Sequence, residues 1–128
     1  YLSSRSGDLV QLTKGNAENM PYSASSFQAL TCVFLFHELP RDARQNVLKE
    51  CFRILEPGGT LILADSIQLV DSQKFTPIME NFHKIFHEPY YRDYILDDIN
   101  LRLEESGFTA ISSESHFMTK VWKANKPV

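Results

Sequence analysis

Residues 29–65 read ALTCVFLFHELPRDARQNVLKECFRILEPGGTLILAD, and the fold turns on how that passage divides. Ala29–Phe36 is almost continuously apolar and rich in strand-favouring residues. A run without polar alternation is expected of a strand covered on both faces, as in a parallel sheet flanked by helices. From Arg41 to Leu55 the spacing becomes helical. Val47, Leu48, Cys51 and Leu55 fall on one stripe, with Arg44, Lys49, Glu50 and Arg53 off it. Pro40 suits a helix start, and Pro57-Gly58-Gly59 suits a helix end and a turn. Thr60–Ala64 is then a second buried strand, closed by Asp65 and Ser66. Strand, helix and strand with short connections form a right-handed crossover unit of a doubly wound α/β sheet.

Upstream, Val10–Lys14 alternates as a short strand does, and Gly15 and Asn16 punctuate it. Downstream, Thr76 and Pro77 predict a helix start. Phe75, Ile78, Met79, Phe82, Ile85 and Phe86 form its apolar stripe, and Pro89 stops it. The passage from Pro89 to Leu96 is an aromatic link. Asp97–Ser106 is a further helix, with Ile99 and Leu103 inward and Gly107 at its end. Phe108–Phe117 and Thr119–Ala124 are expected to close the fold as an antiparallel strand pair. No internal repeat or linker divides the 128 residues, so one domain spanning 1–128 is expected.

Composition narrows the function. A formal net charge of −3 without a basic cluster argues against a nucleic-acid surface. No apolar run approaches the roughly 20 residues of a membrane span, and residues 1–9 lack a signal-peptide layout. Cys32 and Cys51 are expected to be free, buried thiols, which together with these features suits a cytoplasmic protein. Two cysteines without a CxxC do not make a zinc site. His83 and His87, four apart with Glu80 and Glu88 nearby, lack an evident further ligand, so no metal is expected.

The order GNAENMPYSASSFQAL (15–30), an apolar strand ending LFHELP (35–40), VLKECFRILEPGGTLILAD (47–65) and LEESGF (103–108) resembles the class I S-adenosylmethionine-dependent methyltransferases. Within them it is similar to the branch that methylates ubiquinone and menaquinone precursors on carbon. The resemblance implies a partial Rossmann-like sheet with flanking helices, S-adenosyl-L-methionine as cofactor and a small-molecule acceptor. Such enzymes open with a glycine-rich loop against the methionine portion of the cofactor, where glycine alone permits close backbone approach. The glycines here are Gly7, Gly15, Gly58, Gly59 and Gly107, with no GxG among them. The chain therefore resembles the carboxy-terminal half to two-thirds of a methyltransferase, expected to be inactive alone. The other reading open at this point is a non-catalytic remnant or interaction module without cofactor binding.

Carried over by position, Asn16-Ala17-Glu18 matches the adenine-reading turn after the family's third strand. The side chain at Asn16 and the next N–H would reach the adenine edge, although Asn replaces the usual Asp. A plain Asx turn is the alternative. Cys32 and Val33 match positions beside the cofactor's methionine portion, with a purely structural role equally open. His37 and Glu38 fall at the carboxyl edge of the sheet, where open α/β folds bind ligands. His37 is the candidate general base, with local packing as its alternative, and Asp65 on the same edge is a weaker candidate. Glu38, Tyr90 and Tyr91 are the candidate acceptor contacts. With strand order 3-2-1-4-5-7-6 in the family, the strand at 31–36 is expected either to take Val10–Lys14 as a direct neighbour or to pair with a second chain by its open edge.

Overall fold

A computed structural model of the chain describes residues 13–71 and 90–128. Its strands are β1 (Phe27–Val33), β2 (Leu55–Ser66), β3 (Thr109–His116) and β4 (Thr119–Asn125). Its helices are α1 (Arg41–Ile54), α2 (Tyr91–Leu96) and α3 (Ile99–Glu105), with single 3-10 turns at Phe36–Glu38 and Leu69–Asp71. The helix expected from Thr76 to Pro89, with His83 and His87, lies outside the described residues, as do residues 10–12 of the first expected strand. Thr13 and Lys14 lie outside any strand.

The sheet runs β1-β2-β4-β3. β1 and β2 are parallel, with Leu30 opposite Leu61 and Cys32 opposite Leu63. β4 lies antiparallel to both β2 and β3, with Trp122 opposite Leu63 and Ser113. This is the 4-5-7-6 part of the order that the resemblance implied. α1 makes the crossover because Val47, Leu48 and Cys51 form a buried stripe that meets Leu61, Leu63 and Trp122 in one core cluster. Each aliphatic side chain buried there contributes about 1.5–3 kcal/mol. Pro40 stands at the N-cap position, without a side-chain hydrogen bond, rather than in the first turn. Asp98 caps α3 by accepting from the Leu101 amide at 3.0 Å. Gly107 follows α3 at φ +104°, and a Cβ there would lie 2.9 Å from the Phe52 ring.

Four expectations need correction. β2 begins at Leu55, not Thr60, because the Gly58 amide donates to the Lys126 carbonyl and the Lys126 amide to Gly59. Those bonds draw the Pro-Gly-Gly turn into the sheet. β1 ends at Val33, since Phe34 turns to φ 52° and a 3-10 turn follows. Nor is β1 covered on both faces among the described residues. Leu30 and Cys32 pack toward the core, whereas Ala29, Thr31 and Val33 are exposed. Finally, the aromatic link contains helix α2, which buries Tyr91, Tyr94 and Ile95. On its other edge β1 has no strand partner among the described residues.

Candidate functional site at the carboxyl edge of β1 and β2

The carboxyl ends of β1 and β2 point the same way because the strands are parallel, and two arrangements meet there. One is an apolar cavity of about 370 Å³ lined by Ala17, Met20, Cys32, Val33, Leu35 and Cys51, among others. Its size is within the range of small-ligand clefts, roughly 300–1,000 Å³. Ala17 and Met20 also line a neighbouring cavity of about 230 Å³ that includes Asn16 and Tyr22. The structure thus gathers three of the five expected cofactor positions, Ala17, Cys32 and Val33, around one space, with Asn16 adjoining it.

The Asn16–Asn19 turn is held from both ends. Asn16 Oδ1 accepts from the Glu18 amide at 2.9 Å, and its carbonyl accepts from the Asn19 amide at 3.0 Å. The Asx turn weighed as an alternative is therefore present, and it leaves Asn16 exposed at the rim. Glu18 turns to α1 instead, where its carboxylate accepts from Asn46 Nδ2 at 3.0 Å. Glu50 accepts from the Met20 amide at 2.7 Å and from Arg53, which in turn donates to the Met20 carbonyl at 3.1 Å. The Arg53 hydrogen bond holds the Glu50 carboxyl below its ordinary pKa. Burial pushes the Cys32 thiol up to about 11 and the Cys51 thiol up to about 12. Both thus stay neutral and behave as part of an apolar wall at physiological pH.

The second arrangement centres on Asp65 at the end of β2. Its side chain is fully buried and accepts from His37 Nδ1 at 2.7 Å, from the Phe36 amide at 2.8 Å and from the Ser66 amide at 2.8 Å. One carboxylate therefore fixes both the His37 ring and the turn that carries it. Donation from Nδ1 to a carboxylate leaves Nε2 as the basic nitrogen of the neutral ring. The ring stands edge-on to Tyr91, with centroids 5.6 Å apart. Glu38 Oε1 lies 3.9 Å from His37 Nε2, and its side chain is largely exposed. Tyr90 is exposed, whereas Tyr91 is buried and hydrogen-bonded to the Ser66 hydroxyl. Tyr94 donates to the Ser66 carbonyl, and burial raises its phenol well above the ordinary value.

Sequence reasoning underweighted Asp65 and misplaced Arg44. Asp65 ends an apolar strand in parallel with the strand before His37, a pairing that could have suggested their contact. Arg44 is fully buried although it falls off the apolar stripe. It pairs with Asp93 at 2.8 Å and Asp97 at 2.9 Å, both about fifty residues later in the chain. Among the described residues no group of three or more His, Cys, Asp or Glu could hold a metal. No described helix is long and apolar enough to cross a membrane.

Residues 2–63 match the family described as "Methyltransferase domain". The carboxy-S-adenosyl-L-methionine synthase of Chromohalobacter salexigens is 27% identical over 120 residues, covering 81% of this chain and 44% of that protein. The demethylmenaquinone methyltransferase of Listeria welshimeri is 35% identical over 88 residues, covering 63% of this chain and 36% of that protein. The chain thus spans less than half the length of these curated relatives. A SAM-dependent methyltransferase structure from Thermotoga maritima, described as a possible histamine N-methyltransferase, superposes with a TM-score of 0.71 at 21% identity. The match covers 91% of this chain and 64% of that one. Human N-acetylserotonin methyltransferase in complex with SAM gives 0.68 at 9% identity, covering 99% of this chain and 38% of that one.

Proposed function

We propose that the protein transfers a methyl group to a small-molecule acceptor, a reading supported by the match of residues 2–63 to the methyltransferase-domain family and by the fold shared with a SAM-dependent methyltransferase structure. The observation that carries this reading is the apolar cavity lined by Ala17, Cys32 and Val33 at the same sheet edge as the His37–Asp65 pair. The cavity's size is compatible with part of the cofactor, and its neutral, mostly apolar wall would suit the adenine ring better than the charged aminoacyl end. S-adenosyl-L-methionine would supply a sulfonium leaving group, so that in-line displacement by an aligned and deprotonated nucleophile would release S-adenosylhomocysteine.

Asn16 and the Ala17 amide would meet the adenine, Glu18 would hold the turn to α1, and Cys32 and Val33 would flank the aminoacyl portion. His37 is the proposed general base. With Nδ1 donating to Asp65, its Nε2 would take the proton that a hydroxyl, amine or acidic carbon loses on methylation. Glu38 and Tyr90 would border the acceptor, and Tyr91 would shape its wall through the His37 ring. In this reading the chain supplies the adenine-facing and acceptor-facing side of the site. The glycine-rich loop of the family would come from sequence beyond these residues.

A transfer assay with methyl-labelled cofactor and a panel of phenolic, enolic and amine acceptors tests the proposal. His37→Gln should lower kcat about 100-fold or more while leaving S-adenosylhomocysteine affinity within about twofold. A His37→Gln protein that turns over at the wild-type rate would remove His37 from the chemistry.

A further inference from the structure

Arg44 links the His37 turn to the Tyr90–Tyr91 segment. Its Nε donates to the Phe36 carbonyl at 3.1 Å, and its Nη2 to the Tyr90 carbonyl at 3.3 Å. Phe36 directly precedes His37, and Tyr90 directly precedes Tyr91, whose ring packs edge-on against His37. Among the described residues no backbone–backbone hydrogen bond joins the Phe36–Glu38 turn to α2. The guanidinium is fixed in turn by Asp93 and Asp97, and its carbon lies 5.7 Å from the Tyr94 ring centroid. Asp97 is also contacted by Arg102 at 3.2 Å, and Asp93 by Arg41 at 2.9 Å.

A buried ionic cluster is a poor source of stability, because removing charges from water opposes their attraction and apolar packing of equal volume often serves as well. What it supplies is direction. A planar fork with several fixed donors holds carbonyls and carboxylates at defined angles, which a lysine ammonium does not reproduce. We propose that Arg44 is a positioning residue, setting the distance between the His37 turn and the Tyr90–Tyr91 segment and hence the shape of the acceptor subsite. This rests on the methyl-transfer reading for its consequence in catalysis, but not for the mechanical coupling itself.

The two parts separate experimentally. Hydrogen–deuterium exchange on the full-length protein is compared for wild type, Arg44→Lys and Asp93→Asn, the last removing one exposed partner and sparing the buried pair. Coupling predicts that amides of 36–39 and of 91–97 exchange at least about tenfold faster together in Arg44→Lys, with β2 and β4 amides unchanged, and less so in Asp93→Asn. Loosening of α2 alone, or uniform loosening of the whole fold, would overturn it. Where the enzyme turns over an acceptor, Arg44→Lys should raise acceptor KM and lower kcat by about tenfold, with S-adenosylhomocysteine affinity within twofold. Unchanged acceptor kinetics in a variant whose two segments have loosened would reduce Arg44 to a clip. Absence of turnover in the wild type would count against the methyl-transfer reading and leave the exchange result to judge the coupling.

Discussion

Replacing Asp65 by Asn keeps the shape of the side chain and removes its charge. The carboxylate takes three donors, two on Oδ1 and one on Oδ2, with no solvent exposure. An amide offers one oxygen. If that oxygen stays with His37 and Ser66, the Nδ2 group faces the Phe36 amide, donor against donor. The change then removes one charge-assisted hydrogen bond, leaves a buried N–H unsatisfied and weakens the two remaining bonds. Hydrogen bonds to charged groups contribute about 1.5–3 kcal/mol each, and an orphaned buried donor costs about 1–3 kcal/mol. A loss of about 3 kcal/mol is therefore expected. With an unfolding entropy of about 2.1 cal/mol/K per residue, a chain of 128 residues should melt about 10 °C lower. Thermal denaturation followed by circular dichroism at neutral pH is the assay. A melting temperature within about 2 °C of wild type would mean that Asp65 does not organise the His37 turn as described.

The Cys32 thiol, raised to about 11, should react with a disulfide reagent at pH 8 about two orders of magnitude more slowly than free cysteine. Cys51, buried and raised to about 12, should stay unlabelled until the fold opens, and labelling of either near the free-cysteine rate would contradict this environment. Burial opposes ionisation of Asp93, but its hydrogen bond and charge pairing with Arg44, joined by Arg41, outweigh it and hold the carboxyl below its ordinary pKa. Its pairing thus stabilises the fold above the unfolded carboxylate value, about 4, and is lost as pH falls below it. The difference in urea midpoint between wild type and Asp93→Asn should accordingly shrink from pH 7 to pH 3.5. Gly107→Ala combines φ +104° with a Cβ 2.9 Å from the Phe52 ring. It should destabilise by about 1–3 kcal/mol, read from denaturant midpoints.

The strand–helix–strand unit was legible because its signals are local. The α1 stripe and the Gly107 stop each sit within one element and appear where expected, and the strand-favouring run before His37 appears as β1, although it ends at Val33. What was not legible depends on partners distant in sequence. Arg44 reads as a surface cation until Asp93 and Asp97, about fifty residues later, close over it. The Pro57–Gly59 turn reads as a break until Lys126 pairs with Gly58 and Gly59. Pro89–Leu96 reads as a link because the helix within it, Tyr91–Leu96, is too short to give much periodicity; burial of Tyr91, Tyr94 and Ile95 defines it. In the candidate site, Ala17, Cys32 and Val33 came from the resemblance, and the structure brings them round one cavity. The carboxylate that orients His37 needed the parallel register of β1 and β2.

The most direct test of the cofactor assignment is a ¹⁵N NMR titration of the protein with S-adenosylhomocysteine, carried to millimolar concentration so that a weak half-site still registers. The result expected is a set of saturable shifts concentrated on Ala17, Cys32 and Val33 with the Asn16–Asn19 turn. Shifts should be absent from the Ile62–Ser112–Lys123 groove on the other part of the sheet. Shifts confined to that groove, or no saturable shift anywhere, would contradict the assignment of this cavity to the cofactor.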